Sequence, residues 1–218
     1  MKKIVVFLGA PGAGKGTAAS SVAPALGAMH VSTGAMLRDA VSRGTPAGVE
    51  AKSFMDAGAL VPDEVLYKMI VELLASAPDG ALLFFDGFPR NLAQAEALSG
   101  LAEKGGAKVA GAVCLDVSRE VLLRRLGGRR TCPKCGAGYH VETLPPKVDG
   151  VCDACGEALV VRADDRPETI ARRLEVYESA TAPVIGFYEK SGGLRRVDAS
   201  GSAAEVAALV EKAVRSVS

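Results

Sequence analysis

Apolar and polar residues form blocks along the chain that predict strands alternating with helices. Short runs of β-branched and aromatic residues, bounded by glycine or by a polar residue, are typical of buried strands, and the segments between them repeat apolar residues at helical spacing. This alternation predicts an α/β fold, a parallel sheet with crossover helices. The predicted strands are 4–8, 29–31, 81–85, 109–116 and 194–198.

Glycines and prolines mark the ends of the predicted helices. Pro46 and Pro62 stand at first helical positions, and Gly27 and Gly44 follow the last residues of two other helices. Pro183 is expected to divide one long helix in two, because proline cannot donate the helical hydrogen bond. The predicted helices are 15–26, 36–43, 46–58, 62–77, 92–104, 119–126, 166–191 and a closing helix that contains 206–217.

Two segments interrupt the alternation and predict insertions. Residues 32–61 read as a helical pair between strands, and residues 128–161 are rich in glycine, proline and cysteine, with short alternating segments typical of a small β-rich unit. The core is then expected to comprise 1–31, 62–127 and 162–218.

The composition is that of an ordinary globular protein without a strong charge. Of 218 residues, 49% are hydrophobic and 23% are charged, and the formal net charge is +1, so no global field attracts nucleic acid or anionic lipid. The apolar run after Lys2 and Lys3 is interrupted by Pro11 and Gly12, which argues against an export signal. No apolar run approaches the ~20 residues that a membrane span needs. We expect a soluble, cytoplasmic monomer with no membrane or nucleic-acid partner.

The sequence IVVFLGAPGAGKGT at 4–17 predicts a phosphate-binding loop. A buried strand leads into a glycine-rich turn whose backbone N–H groups can converge on phosphate oxygens, and a helix that begins near Gly14 adds the positive end of its dipole. Lys15 is expected to meet the terminal phosphates of a nucleoside triphosphate. The general pattern has a hydroxyl residue directly after this lysine. Here Gly16 stands at that position and the hydroxyl follows at Thr17.

Asp86 ends the apolar run LLFFD and is expected to lie beside the bound phosphates. A carboxylate at that position suits Mg²⁺, held directly or through water. Gly87 and Pro89 predict a rigid turn that presents Arg90. An aspartate after a strand is also typical of a simple turn. The neighbouring phosphate-binding loop favours the metal role.

Two C-x-x-C pairs, separated by 16 residues, predict a structural zinc site in the second insertion. Four thiolates in this pattern suit a closed tetrahedral site with no position left for a reactive water. Gly136 and Gly156 follow the pairs and give the turns freedom to aim backbone N–H groups at sulfur. The metal is expected to fold a segment that is too small for its own core. The predicted ligands are Cys132, Cys135, Cys152 and Cys155.

Five motifs together resemble the adenylate kinase family in order and spacing. They are GAPGAGKGT at 9–17, STGAMLR at 32–38, DGFPR at 86–90, GRR at 128–130 and RADD at 162–165. The resemblance spans nearly the whole chain, and GKGT is the form of the loop that this family uses. It implies a phosphate-loop α/β core, a mobile helical AMP-binding insert at 32–61 and a zinc-bearing lid at 128–161. It also implies reversible phosphoryl transfer from ATP to AMP, giving two ADP, with Mg²⁺ as cofactor.

The resemblance further implies which residues form the site. The residues expected to hold ATP are Gly12, Ala13, Gly14, Lys15, Gly16, Thr17, Arg129, Gly138, Tyr139 and Gly201. Those expected to hold AMP are Thr33, Arg38, Ala59, Leu60, Val61, Gly87, Phe88, Pro89, Arg90, Gln94, Arg162 and Arg173. The residues expected to act in catalysis are Lys15, Arg90, Arg125, Arg129, Arg162 and Arg173, with Asp86 as the Mg²⁺ residue.

The chemistry of phosphoryl transfer agrees with this basic set. A loose, anionic transition state needs fixed positive charge and alignment, and guanidinium groups match phosphate oxygens two at a time. Arg173 shares a helical stripe with Ile170 and Leu174 and is expected to face inward, whereas Arg172 faces away. Without the motifs, such arginines are more typical of a solvated helix face.

Base recognition rests on Gln94, whose amide can both donate to and accept from a base edge. The alternative is an exposed helical glutamine. Two positions depart from the family pattern. Ala35 replaces the usual acidic residue after STG, which removes one support of the Mg²⁺ water shell, and Ala59 stands where lysine is frequent, although that contact runs through the backbone.

Four further residues receive structural interpretations. Cys114, inside a predicted strand, is expected to be buried and unreactive. His140 is expected to support the lid without binding metal. Asp164 and Asp165 are expected to pair with Arg129 or Arg162 and to hold the lid hinge, as the family resemblance implies.

Two other functions remain open from the sequence. The first is a kinase for a different nucleoside monophosphate. The second is a zinc-ribbon protein that binds nucleic acid through the cysteine pairs and Arg124, Arg125, Arg129 and Arg130. The insertion carries about as many acids as bases and has only Tyr139 for stacking, which disfavours the second function.

Overall fold

A computed structural model describes residues 1–218. The chain alternates strands and helices as the sequence pattern predicts. Three short helical segments add to these elements: 3₁₀ turns at Pro24–Leu26 and Ala163–Asp165, and a π-helical turn at Tyr177–Thr181. The elements are β1 (Lys2–Leu8), α1 (Lys15–Val22), β2 (Ala28–Ser32), α2 (Thr33–Ser42), α3 (Pro46–Asp56), α4 (Asp63–Ser76), β3 (Leu82–Asp86), α5 (Leu92–Lys104), β4 (Ala107–Asp116), α6 (Arg119–Gly127), β5 (Arg129–Thr131), β6 (Gly138–His140), α7 (Pro167–Val176), α8 (Ala182–Lys190), β7 (Leu194–Asp198) and α9 (Ala203–Val217).

Five parallel strands form the central sheet in the order β2-β3-β1-β4-β7. Successive side chains of β1 enter opposite faces, so Ile4 and Val6 belong to one hydrophobic cluster and Val5 and Phe7 to the other. All four side chains are buried. The sheet is therefore covered by helices on both faces, which confirms the predicted α/β class.

The register of the strands brings three sequence motifs to one edge of the sheet. Asp86, the last residue of β3, lies opposite Phe7 of β1 and Ser32 of β2. The carboxyl ends of parallel strands meet at the same edge, which is where ligands bind in folds of this class. The phosphate-binding loop, the turn after Asp86 and the start of α2 consequently surround one crevice.

The helices differ from the predicted ones mainly at their ends. The first helix stops at Val22, because Pro24 opens a separate 3₁₀ turn instead of continuing the α-helix. Helix α2 begins at Thr33, three residues earlier than predicted, with Ser32 as its N-cap. The π-helical turn separates α7 from α8, and Pro183 lies in the first turn of α8, in agreement with the predicted division.

The two predicted insertions contain distinct structures. Helices α2 and α3 pack so closely that a side chain at Gly48 would overlap the backbone of Ala40. Strands β5 and β6 form a separate antiparallel sheet that is extended by a bridge from Thr131 to Val160. No helix of the chain is both long and apolar enough to cross a membrane.

Candidate active site and metal centre

The loop at 9–17 wraps around the ammonium group of Lys15. The Lys15 Nζ donates to the carbonyl oxygens of Gly9 (2.7 Å) and Ala10 (3.0 Å). Gly12 has φ +86°, and a Cβ there would lie 2.9 Å from the Leu126 side chain, so glycine is required. Helix α1 has no side-chain cap, and its first N–H groups are thus available to an anion.

Gly16 lies directly against the carboxylate of Asp86. A Cβ at this position would lie 3.2 Å from Asp86 Oδ2, which is tighter than ordinary contact. The departure from the general loop pattern therefore has a steric reason: a larger residue after Lys15 would press on the carboxylate. Thr17, which supplies the delayed hydroxyl, is exposed.

Asp86 is held ionised by its neighbours. Burial alone would raise its pKa, but His30 and Lys15 hold it below the ordinary value. His30 Nε2 lies 3.5 Å from Asp86 Oδ2, and the other ring nitrogen meets the hydroxyl of Ser20 at 3.0 Å. An ionised, partly shielded carboxylate beside the loop has the chemistry that Mg²⁺ requires. The sequence interpretation did not include His30, although it lies two residues before the end of β2.

Lys15 shares this low-dielectric environment. Burial lowers its pKa to about 8, against the opposing influence of Asp86. The ammonium group is consequently charged at neutral pH and poorly hydrated. The loop carbonyl oxygens offer this ammonium group only partial negative charge. A phosphate ligand would supply the full opposite charge.

Arg90 is fixed at three points after the turn that follows β3. Its Nε donates to the Gly87 carbonyl (2.8 Å), its backbone N–H donates to Gln94 Oε1 (2.6 Å), and its carbonyl accepts from Thr181 (2.7 Å). Pro89 follows a cis peptide bond in the same turn. Phe88 is buried against Tyr67 and belongs to the core instead of facing the crevice.

Arg173 faces inward, as its helical stripe predicted. Its side chain is 18% exposed, whereas that of Arg172 is 59% exposed. It lies 2.7 Å from Asp165 and 3.1 Å from Asp164. Arg129 also reaches Asp165, at 3.4 Å, so the expected pairing with Arg129 is confirmed for Asp165, whereas Asp164 pairs with Arg173 alone.

Arg162 does not pair with either aspartate. Its Nε donates to the hydroxyl of Thr131 at 2.8 Å. The two carboxylates pair instead with Arg173, and Arg162, which precedes the 3₁₀ turn, projects to the small sheet.

Basic side chains around the crevice repel one another. Burial is the main cause that lowers the pKa values of Arg90, Arg129, Arg162 and Arg38, and in each case a nearby guanidinium lowers them further. Arg173 is among the repelling cations in all four cases. Few carboxylates neutralise these positive charges, so the crevice suits a ligand with several negative charges.

A second pocket adjoins Arg90. Gln94 lies in its wall and is fully buried, so the alternative of an exposed glutamine is wrong. Ala59 is not in the lining, and its N–H donates to the Phe54 carbonyl. Apart from Leu37 and Leu66, every lining residue is one expected to hold AMP. The lining residues are Thr33, Leu37, Leu60, Val61, Leu66, Gly87, Arg90 and Gln94.

Arg125 connects the phosphate-binding loop to the chain before α9. Its guanidinium donates to the carbonyl oxygens of Ala13 and Gly201, each at 3.3 Å. These contacts bring Gly201 close to the loop. Tyr139 behaves differently, because its hydroxyl accepts from the Asp153 N–H at 2.8 Å and lies 3.5 Å from Cys152 Sγ. In this conformation Tyr139 belongs to the cysteine cluster, and its neighbour Gly138 is exposed.

The four cysteines of residues 128–161 converge on one point. Their Sγ atoms all lie within 4.8 Å of one another, with Cys132 and Cys155 at 3.4 Å and Cys135 and Cys152 at 3.5 Å. These distances are too long for disulfides. They approach the ~3.8 Å edge of a tetrahedron whose metal–sulfur bonds are about 2.3 Å. The donor set therefore fits a structural zinc ion.

The turns after each cysteine pair differ in one detail from the expectation. Gly136 and Gly156 have φ values of +76° and +74°, but their N–H groups donate to the carbonyl oxygens of Cys132 and Cys152. The N–H that meets sulfur is that of Cys135, 3.4 Å from Cys132 Sγ. The glycines close the turns, and the amide that approaches sulfur belongs to the residue before Gly136.

His140 supports the fold of residues 128–143 and is not part of the cysteine cluster. Its Nδ1 accepts from the N–H groups of Glu142 (3.1 Å) and Thr143 (3.2 Å), and its ring packs on Gly128, where any side chain would collide with it. Cys114 is fully buried, and burial raises its pKa to about 12. Both structural interpretations are confirmed.

The chain is similar to known proteins over nearly its whole length. The family model described as "Adenylate kinase" matches residues 7–193. An adenylate kinase of Carboxydothermus hydrogenoformans is 48% identical over 97% of this chain and 99% of its own length. One from Syntrophobacter fumaroxidans is 49% identical over 91% of this chain and 93% of its own length. One from Geobacter sp. (strain M21) is 47% identical, with 97% and 99% covered. With the folded core and the crevice described above, these matches establish that the chain belongs to the adenylate kinase family.

Proposed function

We propose that this protein catalyses reversible phosphoryl transfer from ATP to AMP, giving two ADP, and so balances the adenine nucleotides. The observation that carries the proposal is the crowding of mutually repelling guanidinium groups between the phosphate-binding loop and the pocket beside Gln94. A crevice with the phosphate-binding loop on one side, the pocket beside Gln94 on the other and cationic side chains between them suits two phosphate chains meeting end to end.

The mechanism follows from the positions of the basic groups. Lys15 and the first amides of α1 would hold the donor phosphates. Arg90, with three fixing contacts, would hold the acceptor phosphate in line. Arg173 would contact both phosphate chains and neutralise charge on the transferred group. Such preorganised charge supplies most of the catalysis in phosphoryl transfer, with little need for a general base.

Two metals complete the proposal. Asp86 would hold Mg²⁺ through water, and that ion supplies charge neutralisation on the phosphates when bound. The four cysteines would hold Zn²⁺ as the centre of the lid at 128–161. The hinge residues Asp164 and Asp165 engage Arg129 and Arg173 and could transmit lid movement to the crevice. Lid closure would exclude water, so that AMP and not solvent receives the phosphoryl group.

The arginines in and beside the lid give little support to the alternative of nucleic-acid binding. Arg124 forms an ion pair with Glu142 at 2.6 Å, and Arg130 donates to the carbonyl oxygens of Gly127 and Arg129. Arg129 is turned toward Asp165. These arginines do not present the continuous free cationic surface that strand binding needs.

Replacing Arg173 with alanine is expected to lower kcat about 100-fold or more, because its guanidinium charge is lost from the transition state. Arg172→Ala is the matched control on the same helix, since its exposed side chain meets only Glu175, and should stay within about twofold of the wild type. Steady-state kinetics with both nucleotides saturating measures the effect. Equal losses in the two variants would contradict the role of Arg173.

Activity is expected to require Mg²⁺ even though Ala35 replaces an acidic residue. The ionised Asp86 remains, so the metal site keeps its anionic support. Without added Mg²⁺, turnover should fall to about 1% or less. The zinc content of the protein is measured in the same samples, because a chelator that removes Mg²⁺ can also remove the metal of the lid. Full turnover in the absence of Mg²⁺ would exclude this prediction.

The assignment is tested by a coupled assay for ADP with ATP as donor and AMP, CMP, UMP or GMP as acceptor. AMP should be preferred over the others. Preference for another monophosphate would support a different kinase of the same family. No ADP from ATP and AMP would refute the proposed function.

A further inference from the structure

The side-chain amide of Gln94 is buried and held by two neighbours. Its Oε1 accepts from the backbone N–H of Arg90 at 2.6 Å, and its Nε2 donates to Asp63 Oδ1 at 2.6 Å. Gln94 is 0% exposed and lies in the wall of the pocket beside Arg90. Asn91 also approaches Asp63 Oδ1, at 3.4 Å, and accepts from the Gln94 N–H at 2.7 Å.

The chemistry of these neighbours fixes the orientation of the amide. A backbone N–H can only donate, so the atom of Gln94 that faces Arg90 must be the oxygen. An ionised carboxylate can only accept, so the atom that faces Asp63 must be the nitrogen. If the amide were turned over, its NH₂ group would face the N–H of Arg90 and its oxygen would face the carboxylate of Asp63. Two donors would then meet at one end and two acceptors at the other, and both ends of the amide are buried.

We propose that Asp63 is a specificity-positioning residue that locks the Gln94 amide in the orientation which reads adenine. This inference rests on the proposed function. With the lock in place, Gln94 retains one free N–H and one free lone pair of oxygen for a base. Adenine offers an amino donor at position 6 and an acceptor at N1, which complement that pair. Hypoxanthine offers an oxygen at position 6 and a proton at N1, so each contact becomes a mismatch.

The placement of Asp63 suits this role. It is the first residue of α4 and is not in the pocket lining, so it acts through Gln94 instead of touching the nucleotide. Burial and the nearby Asp63 carboxylate raise the pKa of Tyr67, one turn further along the same helix. The half-buried carboxylate is therefore part of a polar network with Gln94, Asn91 and Tyr67 at the start of α4.

The test compares AMP with inosine monophosphate (IMP) as acceptors for the wild type and for Asp63→Asn. Asparagine has the same shape but can both donate and accept, so it removes the constraint at the Asp63 end of the Gln94 amide and leaves only the Arg90 N–H to favour one orientation. The ratio of kcat/KM for AMP to that for IMP should fall about tenfold. The KM for ATP and the kcat with AMP should stay within about twofold. Glu64→Gln is the matched control, because Glu64 is exposed in the same first turn of α4, and should leave the ratio unchanged.

Several results would overturn the proposal. They are an unchanged AMP to IMP ratio in Asp63→Asn, an equal loss for both acceptors, which indicates a purely structural role, and a wild type that uses IMP within about threefold of AMP. If Asp63→Asn does not fold, Asp63→Ser carries the same test, since a hydroxyl also donates and accepts. A wild type that makes ADP from ATP and AMP, with an insensitive ratio, would refute this inference and leave the proposed function standing.

Discussion

Replacing Lys15 with methionine is expected to lower kcat/KM for ATP about 1,000-fold while the fold is retained. The ammonium group is the charge at the centre of the phosphate-binding loop, bonded only to the carbonyl oxygens of Gly9 and Ala10. Loss of such a group removes interactions made in the transition state. Burial of the charged lysine is costly, as its lowered pKa indicates, so the variant should unfold no more easily than the wild type.

The same pKa predicts a pH dependence. Since burial lowers the Lys15 pKa to about 8, kcat/KM for ATP should decline as the pH rises through about 8, where the free enzyme loses this charge. Lys68→Met, an exposed position on α4, serves as control and should retain both the activity and the high-pH decline. Wild-type-like kcat/KM in Lys15→Met would contradict the role of the loop.

Replacing Cys152 with serine is expected to unfold the lid while the core stays folded. Few residues of the lid are buried, and two of them are ligands of the predicted zinc site, so the metal takes the place of a hydrophobic core. Those buried residues are Gly128, Thr131, Cys132, His140 and Cys152. Valines and leucine of the same segment remain exposed, namely Val141, Leu144, Val148, Val160 and Val161.

The expected readouts are metal content, proteolysis and activity. Zinc should fall from about one ion per chain to a small fraction, protease should cut within 132–160, and kcat should drop about tenfold or more because the closed state is lost. Cys114→Ala is the matched control, since this cysteine lies in β4 away from the cluster, and should keep its zinc. Wild-type protein prepared without chelator that holds less than half a zinc per chain would refute the metal assignment.

Local sequence patterns were sufficient to predict the sheet and the phosphate-binding loop. The run at 4–8 and the glycines that follow carry their conformation in their own composition, so the end of the strand, the turn and the start of the helix lie where the sequence predicts them. The inward direction of Arg173 followed from the helical period alone. The end of the first helix does not follow from local sequence, because the 3₁₀ turn at Pro24 depends on how the chain joins β2.

Contacts between distant parts of the chain could not be predicted in this way. Gln94 and Asp63 are 31 positions apart, and their hydrogen bond exists because α4 and α5 pack together. The contact of His30 with Asp86 likewise requires β2 and β3 to be neighbours. The family resemblance implies that Tyr139 contacts the nucleotide, yet here its hydroxyl meets the cysteine cluster. The period of a sequence pattern shows which way a side chain faces on one helix or strand. It does not identify the residue of another element that the side chain contacts.

The most direct test of the account follows the fate of the terminal phosphate of ATP labelled in its γ position. With AMP present, the label should appear in the β-phosphate of the ADP formed from AMP. Without AMP, release of labelled inorganic phosphate should be at least about 1,000-fold slower, because the closed crevice excludes water as acceptor. Release of inorganic phosphate at a rate comparable with transfer, or no label in ADP, would contradict direct transfer between the two arms of the site.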